Sequence, residues 1–382
     1  MPFYHKQGHI PQKRHTVFKN PSGDKYYEEL VSRAGFSGIY SNLYHLNRPT
    51  KVIQVGKLEE KKLVHVAKQH RHRHINTDKI KSNGDALDSR TPLFFNDDII
   101  IAAANINKPM DYCYRNGIGD EVFYIQSGEA TLITNLGTLE CSPGDYVIIP
   151  RGIIWQLKPK DEVKILVIDS AGPIETPNKY RNRFGQLLEN SPFCERDIQT
   201  PVLQEPIVNK SEFRVKVKTF HGIQEYHYDN HPFDVVGWDG YYFPWIFSIH
   251  DFEPIVGSIH QPPPVHQTFQ APGFVICSFV PRLFDFHPDA IPAPYPHSNV
   301  DSDEIIYYSK GNFMSRQGTK EESITLHPMG LPHGPQPGKY HSSAGKEKTD
   351  ELAVMIDTFK PLNVTEAAKL IDDQDYPLSW KD

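Results

Sequence analysis

One frame occurs twice in this chain, and a frame that occurs twice confines the fold to something built twice. In the later copy Asp303-Glu304 leads the run IIYY and reaches Gly311 seven positions after the glutamate, and Pro328 then stands five positions before His333. In the earlier copy Asp120-Glu121 leads VFYI and reaches Gly128, again seven after the glutamate, and Pro150 stands five before Trp155. Around the earlier copy, DEVFYIQSGEATLITNLGTLECSPGDYVIIPRGIIWQL alternates apolar positions and breaks at SG, NLG and PGD turns. That is the pattern of short antiparallel strands closing into a barrel. The expected class is therefore all-β, with two jelly-roll barrels, which close or pair their sheets and so remove exposed edges.

Length agrees with duplication, since 382 residues can bury two ordinary cores. With 32 prolines and few long runs of helix formers, the chain reads as strands and turns. Residues 1–170 are expected to form an irregular arm plus the first barrel, 171–205 a proline-punctuated linker, and 206–382 the second barrel. The best helix is VTEAAKLIDD near the end, with Thr365 as its N-cap. A formal charge of -6 offers no basic field for nucleic acid. No run approaches the roughly 18–20 apolar residues that span a bilayer, and the start lacks a secretory signal, so no membrane partner and a cytoplasmic location are expected. Cys113, Cys141, Cys194 and Cys277 lack CxxC spacing, which implies neither a zinc knuckle nor a disulfide framework.

The two copies differ in chemistry. The later supplies His297 in PYPHSN, Glu304 at the head of a strand, and His333 in LHPMGLPHGP. Two imidazoles and one carboxylate on one interior face would suit a mononuclear Fe(II) centre that keeps positions open for substrate and oxygen. In the earlier copy Trp155 stands where the later has His333, and Arg115-Asn116 where it has His297. One copy is equipped for metal and the other is stripped of it.

Further histidines flank the triad. His260 and His266 lie in SIHQPPPVHQTFQ, and either is a candidate general base or a structural histidine bonded to carbonyls. His327 could bind metal in place of a named ligand, hold substrate from behind, or serve structure alone. In His70-Arg71-His72-Arg73-His74 the strand period puts three histidines on one face and two arginines on the other, and this segment is read as surface or interface.

The segments PFDVVGWDGYYFPW, PYPHSN, DEIIYYSKG and above all SITLHPMGLPHGP resemble the homogentisate 1,2-dioxygenases, with a looser likeness through GFSGIYSNLYH. The resemblance implies a double cupin in a short, bacterial branch of the family, assembled as a trimer or hexamer. It implies Fe(II) held by His297, Glu304 and His333, a catalytic base at His260, and a small aromatic substrate, 2,5-dihydroxyphenylacetate, opened by O2. Substrate contacts are expected from His327, Arg316, Phe313, His266 and His333. Three departures stand out. The family separates its first histidine from its glutamate by six positions; here the separation is seven, which leaves Asp303 as a competitor, and Glu304 is preferred because it keeps the distance to Gly311. Phe313 replaces the family's tyrosine, and Arg316 replaces its lysine, retaining the capacity to bind a carboxylate bidentately. Other readings are a cupin dioxygenase for a gentisate-like or 3-hydroxyanthranilate-like substrate, or a non-catalytic metal-binding double cupin.

Overall fold

In the computed structural model, described over residues 3–381 except 82, 294, 312, 314 and 317, the regular secondary structure is nearly all strand. The first barrel is walled by two large sheets, one antiparallel throughout and the other with a single parallel pairing, Cys113–Asn116 with Phe213–Thr219. One runs Gly137–Cys141, Ala130–Thr134, Ile154–Pro159, Cys113–Asn116, then Phe213–Thr219 and Gly222–Tyr228, and ends on Val52–Glu60. The other is centred on Asp145–Ile149, Asp120–Ser127, Val163–Ser170 and Ile99–Ile106. Their inward residues include Phe123, Tyr114 and Trp155, all fully buried. The second barrel is led by a six-stranded sheet in the order Gln267–Ala271, Phe274–Phe279, Leu352–Thr358, Asp303–Lys310, Ser323–His327 and Arg73–Asn76. Its facing wall is made of small pairings: Arg282–Leu283 with Lys348–Thr349, and a bridge between His297 and His333. This is a double cupin.

The two barrels pack sheet against sheet. Tyr124 donates its hydroxyl to Ser309 Oγ at 2.7 Å, and the Tyr146 and Ser278 hydroxyls lie 2.9 Å apart. Apolar residues of both, Phe123 and Val147 from one and Ile305 and Ile356 from the other, belong to one continuous core.

Sheet membership does not follow the expected division at residue 206. The strands between Phe213 and Ser248 pair with strands of the first half, because residues 171–205 return the chain to that barrel's edge. Two short strands also cross over, in senses opposite to each other. Arg73–Asn76 joins the second barrel beside Ser323–His327, and Asn363–Val364 joins the first beside Thr91–Phe95. In a four-stranded sheet the arm's pieces His5–Gly8 and Tyr40–His45 flank Val235–Gly240, and Tyr27–Ser32 pairs with Tyr40–His45 at the edge. The terminal helix Glu366–Leu370 forms where its cap predicts, with Thr365 accepting from the Ala368 N–H.

Both glycines of the repeated frame have one job. Gly128 (φ 79°) and Gly311 (φ 98°) end their strands in left-handed turns, where a Cβ would meet Glu162 O at 2.1 Å and Asp350 O at 2.5 Å.

Candidate metal centre and aromatic-sized cavity

Along a strand successive side chains alternate faces, so Asp303 and Glu304 must part ways. Asp303 turns outward, where its two oxygens accept backbone N–H groups from Met329 at 2.8 Å and Leu362 at 2.7 Å. Glu304 turns inward, almost wholly buried. Its Oε1 lies 3.3 Å from His333 Nε2, and its Oε2 lies 3.9 Å from His297 Nε2. One donor atom from each of the three residues falls within 4.8 Å of the other two.

The histidines are oriented as ligands need to be. His297 Nδ1 lies 3.2 Å from Tyr295 O, and His333 Nδ1 lies 3.4 Å from Leu331 O. A ring that donates Nδ1–H to a carbonyl carries its lone pair on Nε2, and both Nε2 atoms face Glu304. Among the described residues His333 Nε2 is buried with no hydrogen-bond partner, as a metal-ligating nitrogen would be before the metal arrives. The donor set fits a divalent cation with positions left open. Burial by itself would raise the Glu304 carboxyl, but its contacts with His297, His327 and His333 hold it well below the usual carboxylate range.

His327 sits behind the glutamate, fully buried, and is not among the residues lining the cavity. Its Nδ1 meets Glu304 Oε1 at 2.7 Å, and its Nε2 faces the Tyr376 hydroxyl at 3.3 Å. Burial, reinforced by the neighbouring Arg316, pushes its pKa down to about 3, so the ring is neutral and donates to the carboxylate. It steers Glu304. Asp357 lies directly opposite Glu304 on the next strand, with its Oδ1 buried and, among the described residues, unpartnered. Burial and then the Glu304 charge push it up to about 7.

The centre opens into a cavity of about 380 Å³. His260, His266, Phe313 and Arg316 all line it, as do Arg282 and Glu351, which pair at 3.2 Å. His260 Nδ1 stands 3.8 Å from Asp285 Oδ2, and burial lowers its pKa. His266 is more enclosed, 4.7 Å from the Phe279 ring, and burial drives it down to about 3. Phe313 meets the Tyr308 ring edge-on at 4.4 Å. Arg316 donates from Nη1 to Gly334 O at 2.6 Å and lies 5.7 Å from the centroid of Trp380, while its Nε is buried without a partner among the described residues.

The His70–His74 segment, read as surface or interface, is exposed only at His70 and packs its other members inward. Arg71 and Arg73 share a face, as alternation demands, and both bind the buried Asp372 at 2.6 Å. The His72 ring meanwhile packs 5.5 Å from His327 and 6.2 Å from His333, with Trp380 at 5.2 Å. His74 is buried against Tyr376, and His70 is the exposed member. The clue was the pair of arginines: two guanidiniums on one strand face call for a carboxylate, and Asp372 supplies it.

Fold and site together define a two-barrel cupin with, among the described residues, one candidate metal centre, made of two histidines and a carboxylate in the second barrel. A Saccharolobus solfataricus protein provisionally named a dioxygenase is 44% identical over 100% of this chain and 99% of its own length. The family profile described as homogentisate 1,2-dioxygenase N-terminal matches residues 80–249. The chain belongs to the homogentisate 1,2-dioxygenase family. A Rhodopseudomonas palustris homogentisate 1,2-dioxygenase is 27% identical, the match covering 71% of this chain and 63% of that enzyme. The chain thus spans less than two thirds of that relative's length. Among solved structures, a cupin 2 conserved barrel domain protein from Leptotrichia buccalis overlays 77% of the chain and 99% of its own at 11% identity, with a TM-score of 0.38. Among the described residues no helix is long and apolar enough to cross a membrane.

Proposed function

We propose that this chain is an Fe(II)-dependent ring-cleaving dioxygenase that opens homogentisate with O2 to 4-maleylacetoacetate, a step of tyrosine and phenylalanine breakdown. The observation that carries the proposal is the donor set of His297, Glu304 and His333, gathered within 4.8 Å at the wall of a cavity lined by His260 and Arg316. Bound iron would offer open positions to a substrate hydroxyl and to oxygen, and a route for electrons between them.

The chain's own groups would do the rest. His260, neutral in its partly buried setting, takes the phenolic proton, and Asp285 beside it favours the imidazolium that results. His266 suits that role less, because its burial resists a positive charge. Arg316, which lines the cavity, offers its guanidinium to the acetate carboxylate. Phe313 walls the ring with a face that has no hydroxyl. Together these groups hold the substrate in one orientation and keep water from it.

The test is anaerobic reconstitution with Fe(II), then homogentisate and air. Oxygen uptake with a new enone absorbance is the expected result, and absence of both sinks the assignment. A second reading, another substituted hydroquinone or an aminophenol, draws support from Phe313, where the expected substrate loses a hydroxyl contact. Gentisate enzymes generally use three histidines, against which Glu304 argues, and a substrate panel separates these cases. A non-catalytic double cupin would hold zinc, manganese or no metal, and His333→Ala would leave its principal function intact.

A further inference from the structure

The repeat holds at the level of register. Glu304 lies opposite His327 on one neighbouring strand and Asp357 on the other, and Glu121 lies opposite Ile149 and Asp169 in the same way. His297 is bridged to His333, and Tyr114 is paired with Trp155. Tyr114, not Arg115 or Asn116, is therefore the counterpart of His297; like it, Tyr114 precedes its glutamate by seven positions. Even the outward aspartates agree: Asp120 accepts from the Arg151 and Ile174 N–H groups where Asp303 accepts from Met329 and Leu362. The first barrel's version of the triad is Tyr114, Glu121 and Trp155.

Of these three only the glutamate keeps its ligand chemistry, and it is completely buried. A carboxylate closed off from water needs a cation or a proton. Arg90 reaches it from the segment just before the strand Thr91–Phe95. Its Nε donates to Ala86 O at 2.8 Å and its Nη1 to Glu121 Oε1 at 2.6 Å. The guanidinium carbon lies 5.7 Å from the ring centroid of Tyr114, 5.3 Å from Phe123 and 5.9 Å from Trp155. The cation thus touches all three counterpart positions, bonded to the carboxylate and set against the rings that replace the imidazoles. Burial drives the Glu121 carboxyl up, and Arg90 opposes that rise. Asp169, the other nearby carboxylate, already has Asn116 and Lys218 as partners.

We infer that Arg90 is a built-in cation, occupying in the first barrel the place that a metal ion takes in the second. The inference rests on the metal reading of the second barrel. Both barrels are then organised around a central positive charge, and only one of the two charges exchanges with solvent. The chain accordingly binds one metal ion and not two, and the first barrel is closed to chemistry by its own side chain.

Two measurements test this. Arg90→Met strands Glu121 and should lower Tm by roughly 5–10 °C, while adding Glu121→Met should recover most of the loss. A double variant that melts no higher than Arg90→Met overturns the charge compensation. Arg90→Ala with Tyr114→His and Trp155→His clears the centre and sets two imidazoles beside Glu121. Anaerobic Co(II) titration, read by visible d–d absorption, should then count two ions per chain against one in the wild type. A folded triple variant that still binds one ion overturns the inference, as does a wild-type chain that binds two; should the triple variant not fold, the melting comparison decides. A wild-type chain that binds none overturns the reading of the second barrel instead, and the Arg90–Glu121 pair is still judged by melting.

Discussion

Glu304 and Asp303 are chemically near-identical neighbours, and the strand period alone separates their fates, one collecting imidazoles and the other backbone N–H groups. That much was legible, because the repeat supplies a second aspartate–glutamate pair with the same spacing to a glycine. The work of His327 was not, since its partner Tyr376 comes from a remote segment. His327→Leu should leave the fold intact by circular dichroism and weaken metal binding roughly 10- to 100-fold; an unchanged affinity in a chelator-competition titration would remove its steering role. Phe313→Tyr restores the hydroxyl that the family resemblance expects. It should lower the KM for homogentisate roughly 2- to 10-fold, and a KM that stays level or rises would argue for a different substrate.

At the scale of elements, strands were readable wherever one face is buried, as in Ala130–Thr134 and Gly137–Cys141 with their alternating burial. Pairing between distant strands leaves no local trace, so neither crossed-over strand could be anticipated, and His72 was misread along with one of them. The four-stranded sheet carries a charge device of its own. His45 on Tyr40–His45 bonds Asp234 at 2.8 Å and Glu29 at 3.1 Å. Burial would lower its pKa, but the two carboxylates raise it from the ordinary 6.5 to about 9. A folded-state value above the unfolded one stabilises fully below pH 6.5 and is lost as pH rises through 9. His45→Asn should therefore cost on the order of a few kcal/mol at pH 6 and much less at pH 10. Urea midpoints at both pH values check this, and an equal loss at each would refute it.

For the whole molecule, the continuous core and the two exchanged strands make independent melting of the barrels implausible on physical grounds. Calorimetry should show a single transition with equal calorimetric and van't Hoff enthalpies, whereas two resolved transitions would contradict the shared core. Asp372→Ala, which leaves Arg71 and Arg73 without their shared carboxylate, should destabilise by about 3–5 kcal/mol, and a denaturation midpoint unchanged from wild type would refute that ion-pair role. The crossing strand Arg73–Asn76 also sets an order of events. It is synthesised early, yet its partner Ser323–His327 emerges only after almost the entire chain. Such a distant pairing closes slowly. The wall behind the candidate metal ligands is consequently among the last parts of the molecule to form, so a nascent chain presents its histidines in sequence and not as a chelating pocket. Metal capture by this triad would then report on completed folding, and a chain that stalls partway has no finished cage to offer an ion.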